Sequence, residues 1–582
     1  MKKTKEILNK ILKELKNNKW IHYVLLLIIG ISLSIGLKNI QIRETHDGSL
    51  HFLRLLGTKE CFDLGQIIPL INPYYCSGFG YSMNLFYPPI VTYVPLLISL
   101  IKKDYLIALK LFGALCICLS GITMYKFTYQ VTKNRIISFF AGVFYLIAPY
   151  KLANVYKRFA IGEFTALVFI PITFLGLYNL FNQDGKKHYC IAIGAIGLML
   201  SHTVTTLYTA MFCLIYICFN IKKIKQKEIV IKCIINIVFI LLISMLFWLP
   251  LLEVTNACEY TIMDDSIMRT NGNFASDNVI SFSQLFKDKQ EENGTTFLLG
   301  FPTIIAIILT IFAYKKVELK YKDFYLISII FSMISLIMAS RFFPWQIMPG
   351  LICKLQYPWR MLGYFNFFMS FVCGINIYII AKQISKKDSI RVVAIFVFVI
   401  ISITCSNVIM IRFYAKDKEA DSKYIEYILE NKKISHKSIN RDYMPVNALF
   451  LQNTYMQDRE ERTYVLNGNV EIIKEEKKEF SDIIEIKNAT KNTEIEFPYL
   501  FYIGYEAELE SDNKTTKLEL KESENGFLSC TLPDDINDGT IKVKYVSTKL
   551  TYASYTISLV SFIIFIAYII YENKKVKGKK DE

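Results

Sequence analysis

Long apolar runs divided by short polar loops fill the first 412 residues. They lie at 20–41, 86–101, 106–126, 136–150, 160–181, 189–219, 229–250, 296–314, 323–340, 361–381 and 392–412, and one more at 551–571. About 20 such residues span a bilayer as a helix, so the pattern predicts a polytopic α-helical membrane protein. The run 189–219 would be a helix of about 46 Å, too long for one crossing. Ser201-His202-Thr203 interrupts it, which predicts two short helices in a hairpin. The run 86–101 opens on Tyr87-Pro88-Pro89 and is read as re-entrant or surface-lying. No small-x-small cleavage pattern follows the first run, so it is read as a retained helix rather than a signal peptide. The count is about 12 crossings, or 13 if 86–101 spans.

Residues 413–550 lose this pattern. A helical stretch near 422–431 precedes short alternating segments such as 494–510 and 540–547. Asn467-Gly468, Asn525-Gly526 and Asp538-Gly539 are hairpin-turn signals. The region reads as a small β-rich domain, sandwich-like, held at the membrane by helices on both sides. The chain therefore divides into a basic stretch 1–19, a helical body 20–412 with large loops 43–85 and 251–294, the β-rich domain 413–550, a last helix 551–571 and a basic tail 572–582.

Charge gives this body a direction. The net charge is +16, which by itself suits nucleic acid. The lysines, however, crowd into short loops around 126–135, 186–187, 222–227, 315–320 and 382–391, and into both ends. Such loops face the cytoplasm. Regions 43–85, 251–294 and 413–550 then face outward with net charges of −1, −5 and −7, leaving +29 elsewhere. No continuous basic face remains for nucleic acid, and inner lysines meet anionic membrane lipids instead. The expectation is a plasma-membrane protein with both termini cytoplasmic and the β-domain outside. Its 53% hydrophobic and 14% aromatic content excludes a disordered chain. Most of the 13 cysteines lie in apolar runs; Cys61 and Cys76 share an outer loop, where they are able to pair. No cysteine pair has zinc-finger spacing.

Candidate chemistry lies at the outer membrane surface. In a helix over 47–56, Asp47, His51 and Arg54 share one face. That set suits proton abstraction, phosphate contact or a divalent cation; equally, Asp47 is placed to cap the helix at Gly48. Arg158 has a fork suited to phosphate. Glu163 either serves the next helix's N-terminal dipole or functions at membrane depth. His202 either satisfies backbone freed by the break or lines a cavity. Trp345 and Tyr357 mark a membrane interface, and Arg360 beside them breaks the positive-inside pattern, as an anionic headgroup would explain.

Asp47-Gly48…His51…Arg54, Gly78-Phe79-Gly80, Phe86-Tyr87-Pro88-Pro89, Ala148-Pro149-Tyr150, Tyr156…Arg158…Glu163, Leu200-Ser201-His202, Gln356-Tyr357-Pro358-Trp359-Arg360 and Asp442-Tyr443-Met444-Pro445 together resemble bacterial multi-pass proteins of the YfhO type. They also resemble the related "6-pyruvoyl-tetrahydropterin synthase-related" membrane family. Each match is short; their order along residues 20–550 carries the resemblance. It implies a fold like the GT-C class of glycosyltransferases. It also implies a polyprenyl-phosphate-sugar donor, a cell-envelope glycopolymer or lipid acceptor, and Asp47 as the catalytic carboxylate. His51, Arg54, Arg158, Glu163, His202 and Arg360 are the expected substrate-binding residues. A divalent metal is the one cofactor the pattern admits, with Asp47 acting either as the base or as the ligand of a metal that activates the acceptor. A non-catalytic transporter or flippase of lipid-linked sugars is the alternative, suggested by Lys110, Glu163 and His202 in or beside crossings.

Overall fold

The computed structural model describes residues 18–581, apart from 184, 273, 287–296, 354, 385–387, 412–418, 432, 436–438, 440 and 452–454. The basic stretch expected at 1–19 falls almost wholly outside these residues.

The helices of eight residues or more are α1 (Lys19–Ser34), α2 (Gly48–Asp63), α3 (Ile90–Lys102), α4 (Tyr105–Thr132), α5 (Arg135–Ile147), α6 (Pro149–Tyr156), α7 (Ile161–Asn182), α8 (Cys190–Met199), α9 (Thr203–Phe219), α10 (Lys227–Ala257), α11 (Phe301–Ile308), α12 (Leu319–Ala339), α13 (Met361–Ile384), α14 (Asp388–Ile411), α15 (Ala420–Glu430) and α16 (Lys549–Asp581). Among the described residues seven helices are long and apolar enough to cross a membrane, or eight with the bent pair α5–α6. Four shorter apolar helices accompany them. This is a multi-pass membrane body.

Local chemistry explains where the runs break. Pro149 opens α6 at its first position, where its missing N–H costs nothing, and the axis bends by 45°. The chain reverses at Leu200–His202, so α8 runs back along α7 while α9 returns beside it. Gly176 meets the backbone at Ile191, and Gly194 meets Thr173; a side chain at either glycine would part these helices. Tyr216, late in α9, packs on Phe174 and Phe181, late in α7. The run 296–314 departs from expectation. In place of one crossing it gives α11 and a four-residue helix, Thr310–Ala313. Asn376 of α13 enters the break, donating to Ala306 O (2.9 Å) and Thr310 Oγ1 (2.8 Å), which occupies the carbonyl that a continuous helix would have used.

The β-domain has nine strands, β1 (Tyr464–Asn467), β2 (Glu471–Lys477), β3 (Ser481–Ala489), β4 (Glu494–Leu500), β5 (Tyr505–Ser511), β6 (Lys514–Leu518), β7 (Leu520–Glu522), β8 (Phe527–Thr531) and β9 (Ile536–Tyr545). They form two antiparallel sheets, ordered β1-β4-β8-β7 and β2-β3-β9-β5-β6, that share one core. Gly468 and Gly526 take positive φ at turns. Asp538-Gly539 does not turn; it lies within β9. The tight hairpin between β5 and β6 is made instead by Asp512 and Asn513, with φ of 50° and 60°.

The same core holds the loop after α2, with Tyr75, Phe79 and Tyr81 against Tyr443, Phe527 and Tyr260. Leu500 N donates to Phe79 O (2.8 Å), and Lys477 Nζ donates to Gly78 O (2.7 Å). Loop 43–85, residues 258–264 and the β-domain therefore gather at one end of the bundle. At the other end Lys223 donates to Asn182 at the close of α7 (2.9 Å). Cys61 and Cys76 are unpaired: Cys61 faces Ile71 O and Cys76 faces Met444. Trp345 is not an interface marker. It is fully buried, with Nε1 on Met338 O (2.9 Å), while Phe342 beside it is exposed.

Candidate active site

α2 begins at Gly48, as the sequence suggests, with Asp47 at the N-cap position. The Asp47 carboxylate makes no cap hydrogen bond. Thr45 Oγ1 satisfies the first-turn donor next to it, accepting from Gly48 N (3.1 Å). Asp47 is half-buried, and its backbone N–H donates to Arg158 O (2.9 Å). This bond pins the start of α2 to the turn between α6 and α7.

That turn is a prebuilt ionic frame. Tyr150 and Asn154 lie one helical turn apart on α6. After Arg158 the chain reverses through Phe159 at φ 50°, and Glu163 enters the first turn of α7. Glu163 Oε1 accepts from Tyr150 OH (2.5 Å) and Asn154 Nδ2 (2.9 Å). Its Oε2 accepts from Arg158 Nη1 (2.8 Å), which also donates to Asn154 Oδ1 (2.7 Å). Burial alone would disfavour the Arg158 cation, but Glu163 beside it holds the guanidinium above its ordinary range.

Arg360 reaches the same carboxylate from a distant turn, its Nε 3.6 Å from Glu163 Oε2. Its guanidinium lies over Tyr357, 4.8 Å from the ring centre. His202 caps α9, with Nδ1 accepting from Thr205 N (3.2 Å); its ring carbon packs near Gly162. Since Nδ1 accepts, a neutral His202 carries its proton on Nε2.

His51 and Arg54 share a face with Asp47 as expected, and both meet Tyr87. The His51 ring stands edge-on to it at 5.3 Å, and the Arg54 guanidinium lies 4.4 Å above it. Arg54 is taken up by the loop: Nε donates to Asn84 Oδ1 (3.0 Å), and Nη2 to Tyr87 O (3.0 Å) and Pro88 O (2.8 Å). Burial, then the charges of Arg54 and His202, push His51 well below its ordinary value, so its imidazole is neutral. Burial and the charge of Asp47 push the Tyr87 phenol up to about 12.

The structure thus brings all seven expected residues into one neighbourhood around Tyr87, which feels the charges of Asp47, Arg54, Arg360 and Arg158. Sequence reading missed Tyr150, Asn154 and Tyr87. Tyr150 and Asn154 carry a legible signal, the i, i+4 spacing ahead of an Arg–Glu pair; Tyr87 reads only as part of a proline turn. Among the described residues no three His, Cys, Asp or Glu side chains converge as a structural zinc site needs. Lys110 pairs with Asp421 at 3.5 Å.

An apolar groove of about 720 Å³ starts beside this cluster, where Ile90 N donates to Leu200 O (3.0 Å). It continues between α8, α10 and α16 past Ile193, Ile243 and Leu559 to Phe565.

No model of a known protein family matches the chain. An uncharacterized protein of Lactococcus lactis subsp. cremoris is 25% identical over 602 residues, covering 96% of each chain. Among solved structures, the apo oligosaccharyltransferase of Archaeoglobus fulgidus matches 72% of this chain with a TM-score of 0.43 and 13% identity. The chain spans 60% of that protein's length. AglB from the same organism, solved with an inhibitory peptide and a dolichol-phosphate, gives 0.41 and 12% over 70% of this chain and 59% of that one. The mycobacterial arabinofuranosyltransferase AftD gives 0.42 and 13% over 68% of this chain and 27% of that one.

Proposed function

We propose that this chain is an integral membrane glycosyltransferase that moves a sugar from a polyprenyl-phosphate donor to a cell-envelope glycopolymer or lipid on the outer face. The observation that carries this reading is Asp47. Its carboxylate makes no cap hydrogen bond, remains partly open, and stands beside a cluster holding two arginines. The motif resemblance to YfhO-type proteins supports it, and the apolar groove offers the prenyl tail a course along α16.

In this reading Asp47 takes the proton of the acceptor hydroxyl as its oxygen attacks the sugar's anomeric carbon. The bond between the anomeric carbon and the phosphate oxygen breaks, its electron pair leaves on that oxygen, and arginine stabilises the phosphate's charge. The proton ends on Asp47. Arg54 and Tyr87 shape the loop that faces the acceptor. His51, being neutral and buried, serves packing around Tyr87.

The test is Asp47→Asn in the native host, with the glycan content of wall polymers as readout. Loss of one sugar modification, with the protein still in the membrane, is expected; unchanged modification sinks Asp47 as base. A flippase is the second reading, favoured by the polar cluster set beside an apolar groove. Reconstituted vesicles separate the two. A flippase moves a labelled lipid-linked sugar across the bilayer without transferring it to any acceptor.

A further inference from the structure

We infer that the two arginines at Glu163 have different jobs: Arg158 is a fixed strut, and Arg360 is the exchangeable cation that seats a phosphate ester. This rests on the proposed donor class and assigns its phosphate to one residue.

The hydrogen-bond inventory separates them. Glu163 is occupied by its own neighbourhood, with Tyr150 and Asn154 on one oxygen and Arg158 on the other. Arg158 Nη1 makes two bonds of ordinary length, 2.7 and 2.8 Å. All four groups lie between residues 150 and 163, so the side chains of α6, the turn and the start of α7 supply the frame's hydrogen bonds. An anion taking Arg158 would have to dismantle it.

Arg360 is held far more loosely. It is more than nine-tenths buried, yet its Nε has no hydrogen-bond partner among the described residues. The 3.6 Å to Glu163 Oε2 exceeds a hydrogen bond. Its Nη1 reaches Leu355 O and Gln356 Oε1 only at 3.4 Å each. A buried guanidinium so poorly satisfied is costly, and a ligand rich in acceptors relieves it. Phosphate oxygens match the fork. The stack on Tyr357 keeps the guanidinium plane in place while its partner changes. Glu163 keeps its three hydrogen bonds from Tyr150, Asn154 and Arg158 when a phosphate joins Arg360. Asp47 stands close enough to act electrostatically on both Arg158 and Tyr357, so a phosphate at Arg360 sets the bonded sugar between cation and carboxylate.

The experiment uses the full chain in lipid nanodiscs, with farnesyl phosphate as probe and farnesol and inorganic phosphate as controls. Wild type is expected to bind farnesyl phosphate saturably and farnesol far more weakly. Arg360→Gln is expected to lose roughly tenfold to a hundredfold in affinity, as loss of a charge-assisted contact does. Its unfolding temperature should stay near that of the parent, and Arg360→Lys should fall between the two, keeping charge without the fork. Arg158→Gln should instead lower the unfolding temperature, with the folded fraction binding within about twofold of wild type. Unchanged affinity in Arg360→Gln, or an equal loss in folded Arg158→Gln, overturns the division of roles while leaving the lipid-phosphate donor intact. Arg360-dependent binding of inorganic phosphate but not of farnesyl phosphate keeps the seat and removes the lipid donor. If wild type binds neither, both readings fall.

Discussion

The N-terminus of α2 shows how a residue's identity and its work come apart. Asp47 precedes a helix, where aspartate is a favoured cap, and yet its carboxylate makes no cap bond, while Thr45 holds the first helical N–H. Two substitutions test this. Thr45→Ala should cost about 1 kcal/mol of stability, the usual loss for an N-cap. Asp47→Asn should leave the unfolding temperature in detergent unchanged while abolishing activity. If Asp47→Asn destabilises as much as Thr45→Ala, the carboxylate is structural after all. The face of Asp47, His51 and Arg54 was legible because helical spacing alone places them together. Arg54's bonds to Asn84, Tyr87 and Pro88 were not, since they depend on how a loop 30 residues later folds back. Glu163 and Arg158 were visible as charges near a membrane. That Asn154 bridges both emerges only once the turn at Phe159 brings the start of α7 back against α6.

Elements were legible wherever a local signal was strong. The Ser201-His202-Thr203 break ends one helix and starts another, and the cap is His202 itself. The run 296–314 failed because its fate rests with Asn376 on another helix, which hydropathy along the chain does not register. The β-domain turns show the same limit. Asp538-Gly539 carries the favoured pair, but its partners Lys487 and Ile486 on β3 keep it extended. The work falls to Asp512-Asn513, neither of which is glycine. Asn tolerates the left-handed region better than most residues, and other side chains pay about 1–2 kcal/mol there. Asn513→Gly should therefore hold or raise the unfolding temperature, and Asn513→Val should lower it. Equal melting of the two variants would show that this turn carries no strain.

At the scale of the whole molecule, charge patterning separated the two ends of the bundle, and the loops it grouped do meet the β-domain at one end. What joins that domain to the body was not legible, because the contacts pair residues about 400 positions apart, as Lys477 does with Gly78. Beside that contact lies a buried acid. Asp482 of β3 is fully buried and shares the inner face of the β2–β3 hairpin with Glu475 and Lys477; Tyr499 of β4 lies within electrostatic reach. Burial, then the hydrogen bond and charge of Glu475, push Asp482 up to about 8, against a weaker opposing pull from Lys477. The native chain therefore keeps a proton that the unfolded chain gives up near pH 4, and rising pH favours unfolding until about pH 8. Above that both states have lost it and the penalty is constant. Asp482→Asn removes the titration while keeping the shape. The variant should melt with the parent near pH 4, rise progressively above it toward pH 8, and stay above it by a fixed margin to pH 9. Parallel melting curves across that range would mean Asp482 reaches solvent in the folded chain. The crossing from coincidence to a plateau would locate its proton at the seam between the sandwich and the loop that carries Gly78.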